Sequence, residues 1–301
     1  MPTPTSTELL VSQSPSQPEE ILPSSSPRVQ ITYYTDPLCS WSWGLEPQWR
    51  RLRYEFGSQI GWRYAMGGLL PDWQKFSDPI NDISRPGQMA PQWIQIRQLV
   101  GMPTDEGIWR EDPPASSYPA CIAVKAAERQ GSLAAEAYLR RLREAVMLER
   151  LNIARREILL DLAAEVSEMA PTLSFNPQQF QADLDHPASL EAFREDVKES
   201  RYLGISRFPA LVFRGGSGKA LLIVGYRPYP VLKDAIATLS PNTYPLQEAT
   251  DPVAYARYWG RITATEVAVA LNLPLDETQH RLAAAVAAGK LQQNGFFYQG
   301  S

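Results

Sequence analysis

Only two cysteines, Cys39 and Cys121, occur in 301 residues, so no disulfide framework holds this chain and its stability has to come from a packed core. Histidine is equally scarce. His186 and His280 stand far from either cysteine in sequence, which leaves a Cys-His hydrolase or a metal centre without its usual donors. No run of about 18 apolar residues is present to span a bilayer. Positive charge is not in excess either: 29 Lys and Arg face 33 Asp and Glu, a net charge of -4. Bulk attraction to nucleic acid or to an anionic membrane is therefore not expected. Residues 1–27 lack the basic start and apolar centre of a secretory signal and carry Glu8, Glu19 and Glu20. Rich in Pro, Ser and Thr, they read as a disordered tail. Together these absences lead us to expect a cytoplasmic protein in a reducing compartment, with no bound metal or cofactor.

What is present centres on residues 31–52, ITYYTDPLCSWSWGLEPQWRRL. Val29, Ile31, Tyr33 and Tyr34 suit a strand, and Asp36-Pro37 is strong turn punctuation. Trp43, Trp49 and Leu52 then recur at roughly helical spacing. Cys39 falls between turn and helix. The unpaired N–H groups and dipole of a helix start favour an anion, so a lowered thiol pKa is expected there.

DPLCSWSWG following a strand resembles the active-site segment of the DsbA-like branch of the thioredoxin superfamily, in particular the cytosolic relatives described as dithiol-disulfide isomerases. Those relatives carry Cys-X-X-Cys. Here the motif is Cys39-Ser40-Trp41-Ser42, so the second thiol is replaced by a hydroxyl.

The remaining pattern extends the resemblance over residues 28–240. Residues 60–65 (IGWRYA) read as a second strand, parallel to the first, and Met66-Gly67-Gly68-Leu69 ends it. Residues 70–118 resist assignment; short helices and ordered loops are expected. Pro119 starts a helix running to Gly131, and further helices fall over 133–150, around 158–169, after Asn176 and over 189–203. They form a helical insertion, about 70–203, read as a lid. Two apolar runs, 210–213 and 220–224, joined by a Gly-rich turn read as a hairpin, with a helix over 230–239 after it. The fold class is α/β, a thioredoxin-like fold with a large helical insertion. Residues 241–251 look like a linker. Thr263 and Glu266 form a capping box opening a helix, Asp276 opens a second, and 291–298 suit a hairpin, so 252–301 resemble a small winged-helix module. Asp276 and Glu277 begin the helix that would face DNA, where phosphates repel them, so protein docking is the expected role.

The resemblance implies a cis proline opposite the active-site cysteine. Pro209 occupies that place, preceded by Phe208, and Arg207 before them would favour a Cys39 thiolate. Cys39 is then the nucleophile of a monothiol thiol-disulfide oxidoreductase or isomerase, with Ser42 positioned to hydrogen-bond the thiolate. Trp41, Arg207, Phe208 and Pro209 are the substrate-binding candidates. Ser116 and Ser117 join them as groups at a helix start suited to a carboxylate or a substrate backbone. Because Ser42 cannot resolve a mixed disulfide, release needs glutathione or a similar small thiol, a second substrate cysteine, or Cys121. Two alternatives stand beside this: a non-catalytic protein-binding adaptor, as in DsbA-related proteins that present a regulator to a protease, and a glutathione-dependent transferase or isomerase of the kappa type.

Overall fold

A computed structural model describes residues 27–300; the expected tail lies outside them except for Pro27. Strand β1 (Val29–Thr35) is buried at six of seven positions, as a central strand covered on both faces must be. Helix α1 (Ser40–Phe56) crosses back to β2 (Ile60–Met66), which pairs parallel with β1 from Val29↔Ile60 to Thr35↔Met66. On the other side of β1, β3 (Ala210–Gly215) runs antiparallel with Tyr33 opposite Leu211, and β4 (Ala220–Val224) follows it as a hairpin. The strand order β2-β1-β3-β4 leaves β4 outermost.

Between β2 and β3 lie α2 (Ala90–Val100), α3 (Ile108–Glu111), α4 (Tyr118–Glu128), α5 (Ser132–Leu148), α6 (Arg156–Met169), α7 (Pro177–Asp185) and α8 (Pro187–Tyr202). Their apolar faces and the sheet share one continuous core: Trp43 and Trp49 of α1 join Ala120, Leu142 and Leu162 of the insertion. The insertion is therefore half of the body rather than a lid over it. The stretch that resisted assignment is held by long-range aromatic edges, Trp73 to Trp109 at 6.1 Å and Trp93 to Trp109 at 5.3 Å. His186 caps α8, its Nδ1 accepting the Ala188 N–H at 3.1 Å. Among the described residues no helix is long and apolar enough to cross a membrane.

Helix α9 (Tyr229–Leu239) closes the sheet domain, and 241–251 is laid along the end of α1, with Leu246 N–H donating to Glu55 O at 2.7 Å. A helix absent from the sequence reading, α10 (Pro252–Trp259), opens the C-terminal module, followed by β5 (Arg261–Thr263), α11 (Ala264–Leu271), α12 (Leu275–Ala287), β6 (Leu291–Asn294) and β7 (Phe297–Gly300). Its strands order β5-β7-β6. The predicted capping box is present: Thr263 Oγ1 accepts the Glu266 N–H at 3.3 Å and Glu266 Oε2 accepts the Thr263 N–H at 2.7 Å.

Glu266 also does something no local pattern announces. Fully buried, it accepts two hydrogen bonds from Arg140 of α5, at 2.9 and 3.0 Å, and one from Arg50 of α1 at 3.0 Å. Burying three charges is offset only because the carboxylate meets both guanidiniums in good geometry. Helix α1 is thus covered by the sheet domain on one side and by α11 on the other. That explains why its polar residues Glu46, Gln48 and Arg50 are as buried as its tryptophans.

Candidate functional site

The site is built at the C-terminal end of β1. Asp36 Oδ1 accepts the Leu38 N–H at 2.9 Å and Asp36 O accepts the Cys39 N–H at 3.1 Å, so the Asp36-Pro37 turn folds tightly onto the start of α1. Cys39 is the N-cap residue, extended at φ -77° and ψ 105°, with its carbonyl accepting the Trp43 N–H at 3.1 Å. Its Sγ donates to the Phe208 carbonyl at 3.4 Å. The Phe208-Pro209 bond is cis, and through it the loop before β3 sits against the thiol. Gly67 makes room for this loop, because a Cβ there would fall 1.9 Å from Phe208 Cζ.

The thiol is only 6% exposed, and this decides its chemistry. Burial pushes the Cys39 thiol up; the Ser42 hydroxyl and N–H oppose that, the Asp36 carboxylate reinforces it, and the Arg143 guanidinium opposes it, leaving a raised pKa. The lowered pKa expected from the helix start is thereby corrected: the direction is upward, with desolvation its largest cause. Ser42 Oγ is buried without a hydrogen-bond partner among the described residues.

Cys121 lies on α4 on the far side of the turn, fully buried, and its Sγ donates to Asp36 Oδ2 at 3.3 Å. Burial and the Asp36 carboxylate hold this thiol well above the ordinary range. The two thiols face different partners, and both are free. Ser117 Oγ donates to Asp36 Oδ2 at 2.7 Å and accepts the Leu70 N–H at 3.1 Å; Ser116 Oγ donates to Leu70 O at 3.0 Å and accepts the Tyr118 N–H at 3.1 Å. These serines tie the chain after β2 to α4, and neither lines the groove described below. The reading of Ser116 and Ser117 as substrate-binding groups is corrected accordingly: their hydrogen-bonding capacity is used internally.

Over Cys39 opens a groove of about 660 Å³. Trp41, Arg207 and Phe208, singled out from the sequence, line it with Cys39; Pro209 lies buried behind Phe208. Trp41 is braced by Tyr226 at 6.5 Å between ring centroids, and Tyr226 OH accepts from Gln48 Nε2 at 3.0 Å. The sequence reading missed Ile80, Leu99, Val224 and Arg227, which complete the walls. The arrangement offers a sheltered thiol at the foot of an open trough of mixed apolar and polar lining.

A family model described as Thioredoxin matches residues 33–234. The ClpXP adapter protein SpxH of Halalkalibacterium halodurans is 27% identical over 266 residues, 88% of this chain and 85% of that protein. A "putative protein disulfide isomerase" from Nitrosomonas europaea superposes with a TM-score of 0.58 at 22% identity, over 70% of this chain and 97% of that one. The cytosolic disulfide reductase DsbM from Pseudomonas aeruginosa does so with a TM-score of 0.51 at 26% identity, over 64% and 88%.

Proposed function

The chain belongs to the thioredoxin family, and from that premise we propose that it works in the cytoplasm as a protein-binding adapter for a ClpXP-type protease, using the thioredoxin fold as a binding surface. The observation that carries this is the reach of the likeness. The similarity to the ClpXP adapter protein covers 88% of the chain, long enough to reach into the C-terminal module, whereas the disulfide isomerase and reductase structures cover 70% and 64%. The Cys39 environment agrees with it. A buried thiol with a raised pKa, beside Ser42 in place of a second cysteine, is less readily ionised than an exposed one. The C-terminal module, locked to α1 and α5 through Glu266, gives such an adapter a second rigid face.

A second reading rests on the contact of Cys39 Sγ with the Phe208 carbonyl beside the cis Pro209. In it the Cys39 thiolate attacks a disulfide, forming a mixed disulfide and releasing the other sulfur as a thiolate. An external thiol such as glutathione then attacks the mixed disulfide, because Ser42 has no sulfur to do so and Cys121 is engaged with Asp36.

Complementation separates the two. Proteins that accumulate both when the gene for this chain is deleted and when ClpP is inactivated are identified by quantitative proteomics. The adapter reading expects a shared set whose turnover is restored by the wild type and equally by Cys39→Ser. An empty shared set, or failure of Cys39→Ser, contradicts it, and the failure of Cys39→Ser favours the thiol reaction.

A further inference from the structure

The groove over Cys39 has an uneven distribution of charge that bears on what it accepts. Its walls come from four separated segments: the α2 end with Leu99, the loop carrying Ile80, the loop with Arg207 before the cis proline, and the strand end and turn at Val224–Arg227. Ile80 is 71% exposed, Leu99 68% and Val224 36%. Apolar side chains this exposed and facing one trough mark a docking surface rather than scattered surface residues.

The charged groups of the lining are Asp78, Arg207 and Arg227. Asp78 is occupied within its own turn: Oδ1 accepts the N–H groups of Ile80 and Asn81 at 3.2 and 3.3 Å, and Oδ2 accepts from Asn81 Nδ2 at 2.6 Å. The two arginines are not so engaged. Among the described residues neither meets a carboxylate within 4.0 Å, and the hydrogen bond of Arg227 goes to the Tyr226 carbonyl at 2.8 Å. One arginine precedes the cis-proline loop and the other follows β4, so both stand on the sheet side of the trough. The apolar Ile80 and Leu99 come from the insertion.

We propose that this groove receives an extended segment of a partner protein in which acidic and apolar side chains alternate, the acids meeting Arg207 and Arg227 and the apolar groups meeting Ile80 and Leu99. This rests on the reading of the groove as a protein-binding surface and gives that surface its specificity. An extended chain fits because its successive side chains point to opposite sides, matching a trough whose two arginines come from the sheet side and whose exposed Ile80 and Leu99 come from the insertion. Arg207 and Arg227 are exposed where they line the groove, whereas Leu38 and Cys39 are buried. Two cationic groups without counter-charges also reject a basic segment, so the same residues exclude wrong partners.

The test uses the purified full-length chain and fluorescein-labelled nonapeptides without cysteine, so that capture by the thiol plays no part. The first is Gly-Ser-Leu-Glu-Val-Glu-Leu-Ser-Gly; the second has both Glu replaced by Lys; the third has both replaced by Ser. Anisotropy titrations at 50 and 300 mM salt are made on the wild type and on the double variant Arg207→Glu with Arg227→Glu. Both replaced side chains are exposed, so the fold is retained, as a matching thermal midpoint will verify. The acidic peptide is expected to bind about tenfold more tightly than the Lys peptide at low salt. That preference shrinks at 300 mM salt and inverts in the double variant. Equal binding of all three peptides, or a preference unchanged by the double variant, overturns the proposal while leaving a less selective adapter groove standing. Absence of any peptide binding, with glutathione bound instead, overturns both the proposal and the protein-binding reading of the groove.

Discussion

Replacing Glu266 by Gln tests whether the C-terminal module is an integral part of the body. The side chain keeps its shape and one good acceptor but loses the charge that two buried guanidiniums share. Arg140 retains Glu144 at 2.7 Å, whereas Arg50 retains only Glu46 at 3.6 Å. Removing one member of a buried ion cluster costs about 3–5 kcal/mol, and the surviving carboxylates place this case near the lower figure. For a chain of this size each kcal/mol lowers the midpoint by about 2–4 °C, so a fall on the order of 6–12 °C is expected by differential scanning calorimetry. Limited proteolysis supplies the spatial half of the assay. Cleavage within 241–251 should accelerate, because undocking the module frees one end of that segment. A midpoint within 2 °C of wild type, with unchanged cleavage, refutes the idea that Glu266 fastens the module.

The same residue gives a dependence on pH. Burial alone would raise the Glu266 carboxyl, but Arg140, Arg50 and the Thr263 N–H together hold it below the usual range. A folded-state pKa below the unfolded one contributes stability that is complete above the unfolded value and is lost as pH falls through the folded one. Acid titration followed by calorimetry should show this loss in the wild type and a shallower one in Glu266→Gln. Gly67→Ala would put a Cβ where the Phe208 ring lies; displacing that ring should weaken binding of the acidic peptide severalfold while costing only about 1 kcal/mol of stability, read by anisotropy and thermal melting. Arg53 lies 3.9 Å from the Trp62 ring centroid and 5.4 Å from that of Trp259, and pairs with Glu136. Arg53→Met should therefore destabilise by about 1–2 kcal/mol, measured by urea unfolding; a change below the error of the method contradicts that clamp.

The parts of this structure legible in the sequence are those fixed by local chemistry. An apolar run ending in Asp36-Pro37 reads as a strand and turn wherever it occurs, and Thr263 with Glu266 opens a helix by mutual hydrogen bonds three residues apart. The insertion helices from Pro119 onward follow from their periodicity. Residues 70–117 were illegible because Trp73, Trp93 and Trp109 find one another across distances in sequence that no short pattern encodes. Helix α10 was hidden likewise, its Tyr255 packing edge-on against Tyr54 of α1 at 5.1 Å. At the site, Cys39 with Phe208 and Pro209 was recognisable from a resemblance. Ile80, Leu99 and Arg227 come together only in three dimensions. Ser116 and Ser117 suggested ligand binding because a helix start exposes polar groups, but the turn at Asp36 and Leu70 takes up their hydroxyls. The upward direction of the Cys39 shift escapes the sequence for a related reason: a helix terminus is visible there, and the burial that raises the thiol is not.

The adapter and enzyme readings part at Cys39, and its reactivity is the most direct measure of which holds. Wild type, Cys39→Ser and Cys121→Ser are exposed to oxidised glutathione from pH 5 to 9 and followed by intact mass. A thiol whose pKa is raised reacts through a thiolate fraction that is small at pH 7 and grows as pH rises toward that pKa. The account predicts adduct formation at pH 7 slower than that of an exposed cysteine in a short peptide, with the rate still climbing at pH 9. A rapid adduct that persists at pH 5 and disappears in Cys39→Ser would contradict it and make this protein a thiol-disulfide enzyme.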